Sequence, residues 1–258
     1  MSAPIPVHRK LAPRRASARQ QGLSLIELLV AILIALFLIA GVVVVEQGVN
    51  MSYTQQNGLS QLQDEERFAM SVMASVIGTA GYYPNPTTTN LVTALPAVGS
   101  FAAGQSIYAT DGNSIQVRYM TAAGDGINLC DGTAASNLAY TSYLYVAADA
   151  HSGYDLYCQL NGGAPVALVN GLCPITITAP CTVPGMTVLY GIATGTDNNV
   201  TEYQTQAQVG NWSNVTSVEV TLTFVNPLYM QSGQVVNGQP ATVTFSRVIG
   251  VMGRVGAT

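Results

Sequence analysis

From Leu28 to Val45 the chain reads LLVAILIALFLIAGVVVV, eighteen residues without a charge or a strong polar group. A run of that length and character is a candidate membrane-spanning helix. Five cations, Arg9, Lys10, Arg14, Arg15 and Arg19, precede it with no acid among residues 1–22, and Glu46 follows it. Positive charge stays on the cytoplasmic side of a membrane, so the expected topology is N-terminus inside and C-terminal bulk outside. A secretory signal has a shorter apolar region followed by an A-x-A-like site. The stretch AGVVVVEQG holds no such site, which argues against cleavage after the run. Two residues fit a plain anchor poorly. Gly22 ends the basic leader, and Glu27 lies one turn inside the segment that begins at Leu23 and carries the apolar run. A carboxylate at mid-membrane costs about 2.5 to 3.5 kcal/mol on insertion scales, so Glu27 needs a cation.

Working outward, Val49, Tyr53, Leu59, Leu62, Ala69, Met73, Val76 and Ala80 recur at spacings of 3, 4 or their sums, the stripe of an amphipathic helix. Gly81-Tyr82-Tyr83-Pro84 stops it. The pattern predicts one helix from Leu23 to about Ala80, with Gly41, Gly48 and Gly58 as weak points. Beyond residue 84 the helical period gives way to short β-branched runs separated by turn signals such as Asp125-Gly126, Asp131-Gly132 and Asn161-Gly162. The clearest strand is Ser217 to Val225, where Val218, Val220, Leu222 and Phe224 alternate with Glu219, Thr221 and Thr223. Further strands are expected at Thr242 to Val248, Ser114 to Met120, Thr141 to Val146, Val166 to Val169 and Val188 to Tyr190. The expected fold is α+β: a long N-terminal helix, half membrane and half amphipathic, packed on an antiparallel β-sheet domain. Its expected parts are a leader at 1–22, a transmembrane half-helix at 23–45, an amphipathic half-helix at 46–83 and a β-rich globular domain at 84–258.

Composition points the same way. Charged residues make up 9% of the chain against a typical soluble share of about 25%, which suits a β-rich extracytoplasmic protein. Without residues 1–22, Arg67, Arg118, Arg247 and Arg254 face all thirteen acids, a net charge of −9 with no Lys. Such a chain is a poor binder of phosphate backbones, so no direct nucleic-acid partner is expected. Cys130, Cys158, Cys173 and Cys181 contain no C-x-x-C pair, and an even number without metal-ligand spacing favours disulfides in an oxidising compartment. Three connectivities are open. The short Pro-containing loop favours Cys173 with Cys181, leaving Cys130 with Cys158.

The stretch Gln21 to Leu29, QGLSLIELL, resembles the cleavage and assembly signature of type IV pilins and type II secretion pseudopilins. The resemblance implies that a prepilin peptidase cuts after Gly22, that the new N-terminus at Leu23 is methylated, and that Glu27 of one subunit neutralises the amine of a neighbour. Further along, Gly58 to Ala69 (GLSQLQDEERFA), Ala80-Gly81-Tyr82, Leu156-Tyr157-Cys158, Leu168-Val169-Asn170-Gly171, Leu189-Tyr190-Gly191 and Trp212-Ser213-Asn214-Val215 occur in an order that resembles the PilW family of minor pilins. The Cys173 to Cys181 insert and the apolar setting of Arg254 depart from that pattern. The resemblance implies a minor pilin held in the inner membrane by a single pass, with its C-terminal domain in the periplasm, and then built into a pilus at the cell surface. Its implied partners are other major and minor pilins, the prepilin peptidase and the inner-membrane assembly platform. The alternatives are a secretion pseudopilin and a pilus-tip adhesion or binding subunit.

Little in the sequence suggests catalysis. Beyond the leader there is one histidine, His151, and no lysine; His151 stands in a loop with no nucleophile elbow, and there is no Walker motif, dinucleotide fingerprint or H-E-x-x-H. The expectation is a protein that is not an enzyme and has no cofactor. Asp197 and Asn199 offer oxygen ligands of the kind calcium takes, but they match a calcium loop only partly, and an Asx-rich hairpin turn is the simpler reading. Trp212, the only tryptophan, is expected as a core anchor.

Overall fold

The computed structural model describes residues 24–150, 153–195, 199–231, 234–235 and 238–251. The chain divides into two compact units, Met1–Tyr53 and Thr54–Thr258, and one helix, α1 (Leu25–Gly78), contributes to both. In the first unit every described residue is exposed. In the second, Leu62, Ala69, Met70, Met73, Val76 and Ile77 of α1 are buried. The apolar stripe read from the sequence is therefore covered only from Leu62 onward, whereas Val49, Tyr53 and Leu59 stay exposed. Gly58 has a packing reason to be small: a Cβ there would lie 3.2 Å from Pro227 Cβ. The helix ends where Gly81 takes φ +76°, a conformation that costs a residue with a Cβ more than glycine. Its N–H then donates to the Arg118 carbonyl at 2.9 Å.

A short helix α2 (Leu91–Ala94) is capped by the Asn90 side chain, and eleven strands with two 3-10 turns, Gln206–Gln208 and Trp212–Asn214, make up the rest of the described regular structure. Strands β1 (Ile107–Tyr108), β2 (Ser114–Met120), β3 (Ala139–Ala148), β4 (Tyr154–Leu160) and β5 (Val166–Val169) form an antiparallel meander in chain order. Its buried face follows the period of two that a half-buried strand needs. Ile115, Val117 and Tyr119 stand opposite Leu144, Ser142 and Tyr140, and Leu144 and Val146 oppose Cys158 and Leu156. The buried Tyr119 hydroxyl and Ser142 Oγ satisfy each other at 3.0 Å. At the end of β4, Asn161 (φ +49°) and Gly162 (φ +72°) form the tight turn that their residue types favour, closed by Gly163 N–H to the Leu160 carbonyl.

The second sheet consists of β6 (Met186–Ile192), β7 (Glu202–Gln204), β8 (Val215–Val225) and β11 (Thr242–Gly250), in the order β11-β8-β6-β7. A separate ribbon pairs β9 (Met230–Gln231) with β10 (Gln234–Val235). Met186, Val188 and Tyr190 on β6 and Val218, Val220, Leu222 and Phe224 on β8 join the α1 residues and the first sheet in one core. Trp212, partly buried, packs on that core with its ring 5.4 Å from Tyr108 and 4.8 Å from Tyr190. Among the described residues β11 pairs with β8 alone. Its exposed Arg247 sits in register with the buried Val220.

Candidate assembly site

The first turn of α1 is built around Ser24. Its carbonyl accepts from the Glu27 and Leu28 N–H groups at 3.0 and 3.2 Å, and its Oγ accepts from Glu27 N–H at 3.2 Å. Ser24 is thus the N-cap and Glu27 the third helical residue, the S-x-x-E spacing of a capping box. A carboxylate in the first turn is also favoured by the positive end of the helix dipole, by about 0.3 to 1 kcal/mol in exposed settings. Reading Glu27 from sequence as a charge in search of a cation missed this contribution from its own helix, although the Ser24 to Glu27 spacing carried the signal. Gly22 and Leu23 lie outside the described residues.

Behind that turn, Leu28 to Val45 lies on a helix long and apolar enough to cross a membrane, with none of its apolar window buried. Burying a single large aliphatic side chain is worth about 1.5 to 3 kcal/mol. A run of them exposed on one helix calls for cover by lipid or by other helices.

The remaining site residues are structural. Cys130 is bonded to Cys158, which ties the β2–β3 loop to β4, and Cys173 is bonded to Cys181 within the β5–β6 connection; all four are buried. Asp197 lies outside the described residues, and no group of three His, Cys, Asp or Glu among the described residues could hold a metal ion. Alongside α1 a groove of about 430 Å³ runs between Phe68, Val72 and Val76, the loop at Leu129 to Asp131, and Val166 of β5. Its one acid, Asp131, accepts from the N–H and Oγ1 of Thr133, a turn-forming arrangement. Burial drives the Tyr190 phenol far above its ordinary pKa, and its hydroxyl donates to the Ser114 carbonyl at 3.3 Å; it supports the core and faces no groove described here.

Residues 144–247 match the family Type IV Pilus-assembly protein W, and residues 17–43 match the Prokaryotic N-terminal methylation motif. The chain carries a PilW-family domain. Minor pilins of this family are structural, non-catalytic proteins. The PilW match runs from the middle of β3 into β11, so it takes in β6, β7, β8, the first part of β11 and the Cys173 to Cys181 loop, while the Gly58 to Ala69 and Ala80 to Tyr82 motifs fall outside it. The methylation motif spans Gly22, Ser24 and Glu27. No curated protein and no solved structure matches the chain. Methylation motif, long apolar helix and PilW domain together give the architecture and processing signature of a type IV pilin-like protein.

Proposed function

We propose that this chain is a minor pilin of a type IV pilus. It is made as a precursor in the inner membrane, cut by the prepilin peptidase after Gly22, methylated at Leu23, and assembled through α1 beside other pilins. The observation that carries the reading is the order of a methylation motif at 17–43, an uncovered apolar helix and a PilW match at 144–247. In a monomer the apolar run needs lipid; in a filament, neighbouring helices supply the same cover. Glu27 then has a chemical role, because cleavage creates a cationic amine at Leu23. At an effective dielectric of about 20, two unit charges 4 Å apart attract by about 4 kcal/mol before desolvation is subtracted. A neighbour's amine facing Glu27 would set the axial register of docking. The periplasm, as an oxidising compartment, suits the two disulfides. The test is N-terminal sequencing of the protein from cells with and without the prepilin peptidase. Leu23 is the expected terminus with the enzyme and Met1 without it, and an intact Met1 in assembled pili would refute the reading.

A further inference from the structure

The last turns of α1 leave one stripe partly uncovered. Phe68, Val72, Ser75 and Gly78 recur at three- and four-residue spacings and form the floor of two hollows that meet at Ser75. One is the groove of about 430 Å³, and the other, of about 310 Å³, runs on to Tyr82. From Phe68 to Gly78 the floor is about 15 Å long at 1.5 Å per residue. The loop from Asp125 to Gly132 walls both hollows. That wall is tied down: Leu129 N–H donates to the Thr133 carbonyl at 3.0 Å, Gly132 N–H to the Leu129 carbonyl at 2.9 Å, and Cys130 is bonded to Cys158 of β4. Its two carboxylates are seated by their own turns. Asp125 accepts from the N–H groups of Ala122 and Ile127 at 2.8 and 3.0 Å, and Asp131 accepts both bonds from Thr133 on Oδ1. No arginine lines either hollow. Arg67, one residue before the floor begins, follows Asp64, Glu65 and Glu66, so that turn of α1 nets −2.

We infer that this groove receives a basic amphipathic segment of a neighbouring, different pilin, with apolar side chains on Phe68 and Val72 and lysine or arginine groups against Asp125 and Asp131. This rests on the filament reading above and names a contact within it. Charge selects the occupant. An apolar floor with acids fixed along one wall complements a segment that is apolar on one side and cationic on the other. A neutral segment would take water from both carboxylates and return nothing, and an acidic one would be repelled. Because the wall is already ordered, docking takes little further conformational entropy from it. A second copy is a poor donor of such a segment: beyond residue 22 the chain holds four arginines and no lysine against thirteen acids.

The test uses the full chain in piliated cells, with a photo-reactive amino acid in place of the exposed Ser75 and a control in place of the exposed Ser100. The expected result is a cross-link from position 75, absent from position 100, to a second protein with a pilin N-terminal methylation motif. Mass spectrometry should place it within four residues of a lysine or arginine. Two variants then carry the position-75 probe. Asp131→Asn keeps the Oδ1 acceptor that Thr133 uses and removes the charge, so the cross-link yield should fall about threefold, the size of a partly exposed ion pair. Phe68→Ser, at a position 51% exposed, should lower it about tenfold, the loss of one aromatic anchor. Membrane level and protease resistance should stay unchanged in both. An Asp131→Asn yield equal to wild type overturns the inference. So do cross-links only to lipid, only to a second copy, only within the chain, only to a segment without a cation, or to nothing, in pili that contain the wild-type chain. A wild-type chain missing from sheared pili would sink the filament reading itself, and this inference with it.

Discussion

Replacing Gly185 by alanine tests how the stapled loop is seated. A Cβ at that position would overlap the Cys173 carbonyl oxygen and lie 2.8 Å from its carbonyl carbon, a backbone contact that no rotamer change relieves. The same backbone holds three hydrogen bonds: Gly185 N–H to Pro174 at 3.1 Å, Thr223 N–H to Gly185 at 2.9 Å and Cys173 N–H to Thr223 at 2.9 Å. To admit the methyl group, the loop must move off β8 and stretch or break at least two of them. At about 1 kcal/mol net for each bond, with further cost for buried groups left unpaired, the expected loss is about 2 to 4 kcal/mol. For a domain of this size 1 kcal/mol shifts Tm by about 2 to 4 °C, so Gly185→Ala should lower Tm by about 4 to 16 °C. The measurement is thermal unfolding of the full chain in detergent, followed by near-ultraviolet circular dichroism. Gly112→Ala is the control, because nothing lies within 4 Å of its added Cβ. A Gly185→Ala protein that melts within about 1 °C of the Gly112→Ala control would refute the reasoning.

Three further outcomes are expected. Glu27→Gln keeps the side-chain shape and the Ser24 cap but removes the charge, so membrane insertion and cleavage should be normal while recovery in sheared pili falls; recovery equal to wild type, normalised to membrane protein, would leave apolar packing alone as the assembly force. All four cysteines should resist alkylation until the protein is reduced, and a peptide map should return Cys173 joined to Cys181; free thiols in the native protein would contradict both the pairing and the oxidising compartment. Burial raises the folded-state pKa of Tyr190 above the 10.0 of a free phenol, so its contribution to stability is fully present below about pH 10 and is lost as the unfolded chain ionises above it. Denaturant titrations from pH 9 to 11 should show a decline that Tyr190→Phe reduces, and equal slopes for the two proteins would exclude Tyr190 as its source.

The α+β architecture was legible because its main elements carry strong periodic signals. Eighteen uncharged residues mark the apolar part of α1, and β8 alternates cleanly from Val218 to Phe224. Strand β4 was not legible: YDLYCQL contains no β-branched residue and places Asp155 on a buried position. Strands β1 and β7, of two and three residues, are too short to show a period. Nor could periodicity show where cover for α1 begins, since Val49 and Leu62 fit the same stripe but only Leu62 meets the sheets. The split into two sheets depends on pairings far apart in sequence, such as β6 with β8, which local patterns do not encode. At the candidate site Gly22 and Glu27 stood out by their chemistry, while Ser24 passed unnoticed because a hydroxyl at the head of a greasy helix looks incidental until its cap geometry is seen.

Strand β11 has a consequence for how this domain avoids aggregation. Among the described residues its nine residues are paired on one side only, and such an edge offers a template on which a stray strand from another molecule could grow, the first step towards an aggregate. Arg247 blunts that template, because it shares a face of β11 with Val243, Phe245 and Ile249. A strand added there would have to bury a guanidinium or bring a carboxylate to meet it. Most hydrophobic intruders are thereby refused at this edge, and an acid placed opposite Arg247 becomes the admission requirement for a strand that extends the sheet beyond β11.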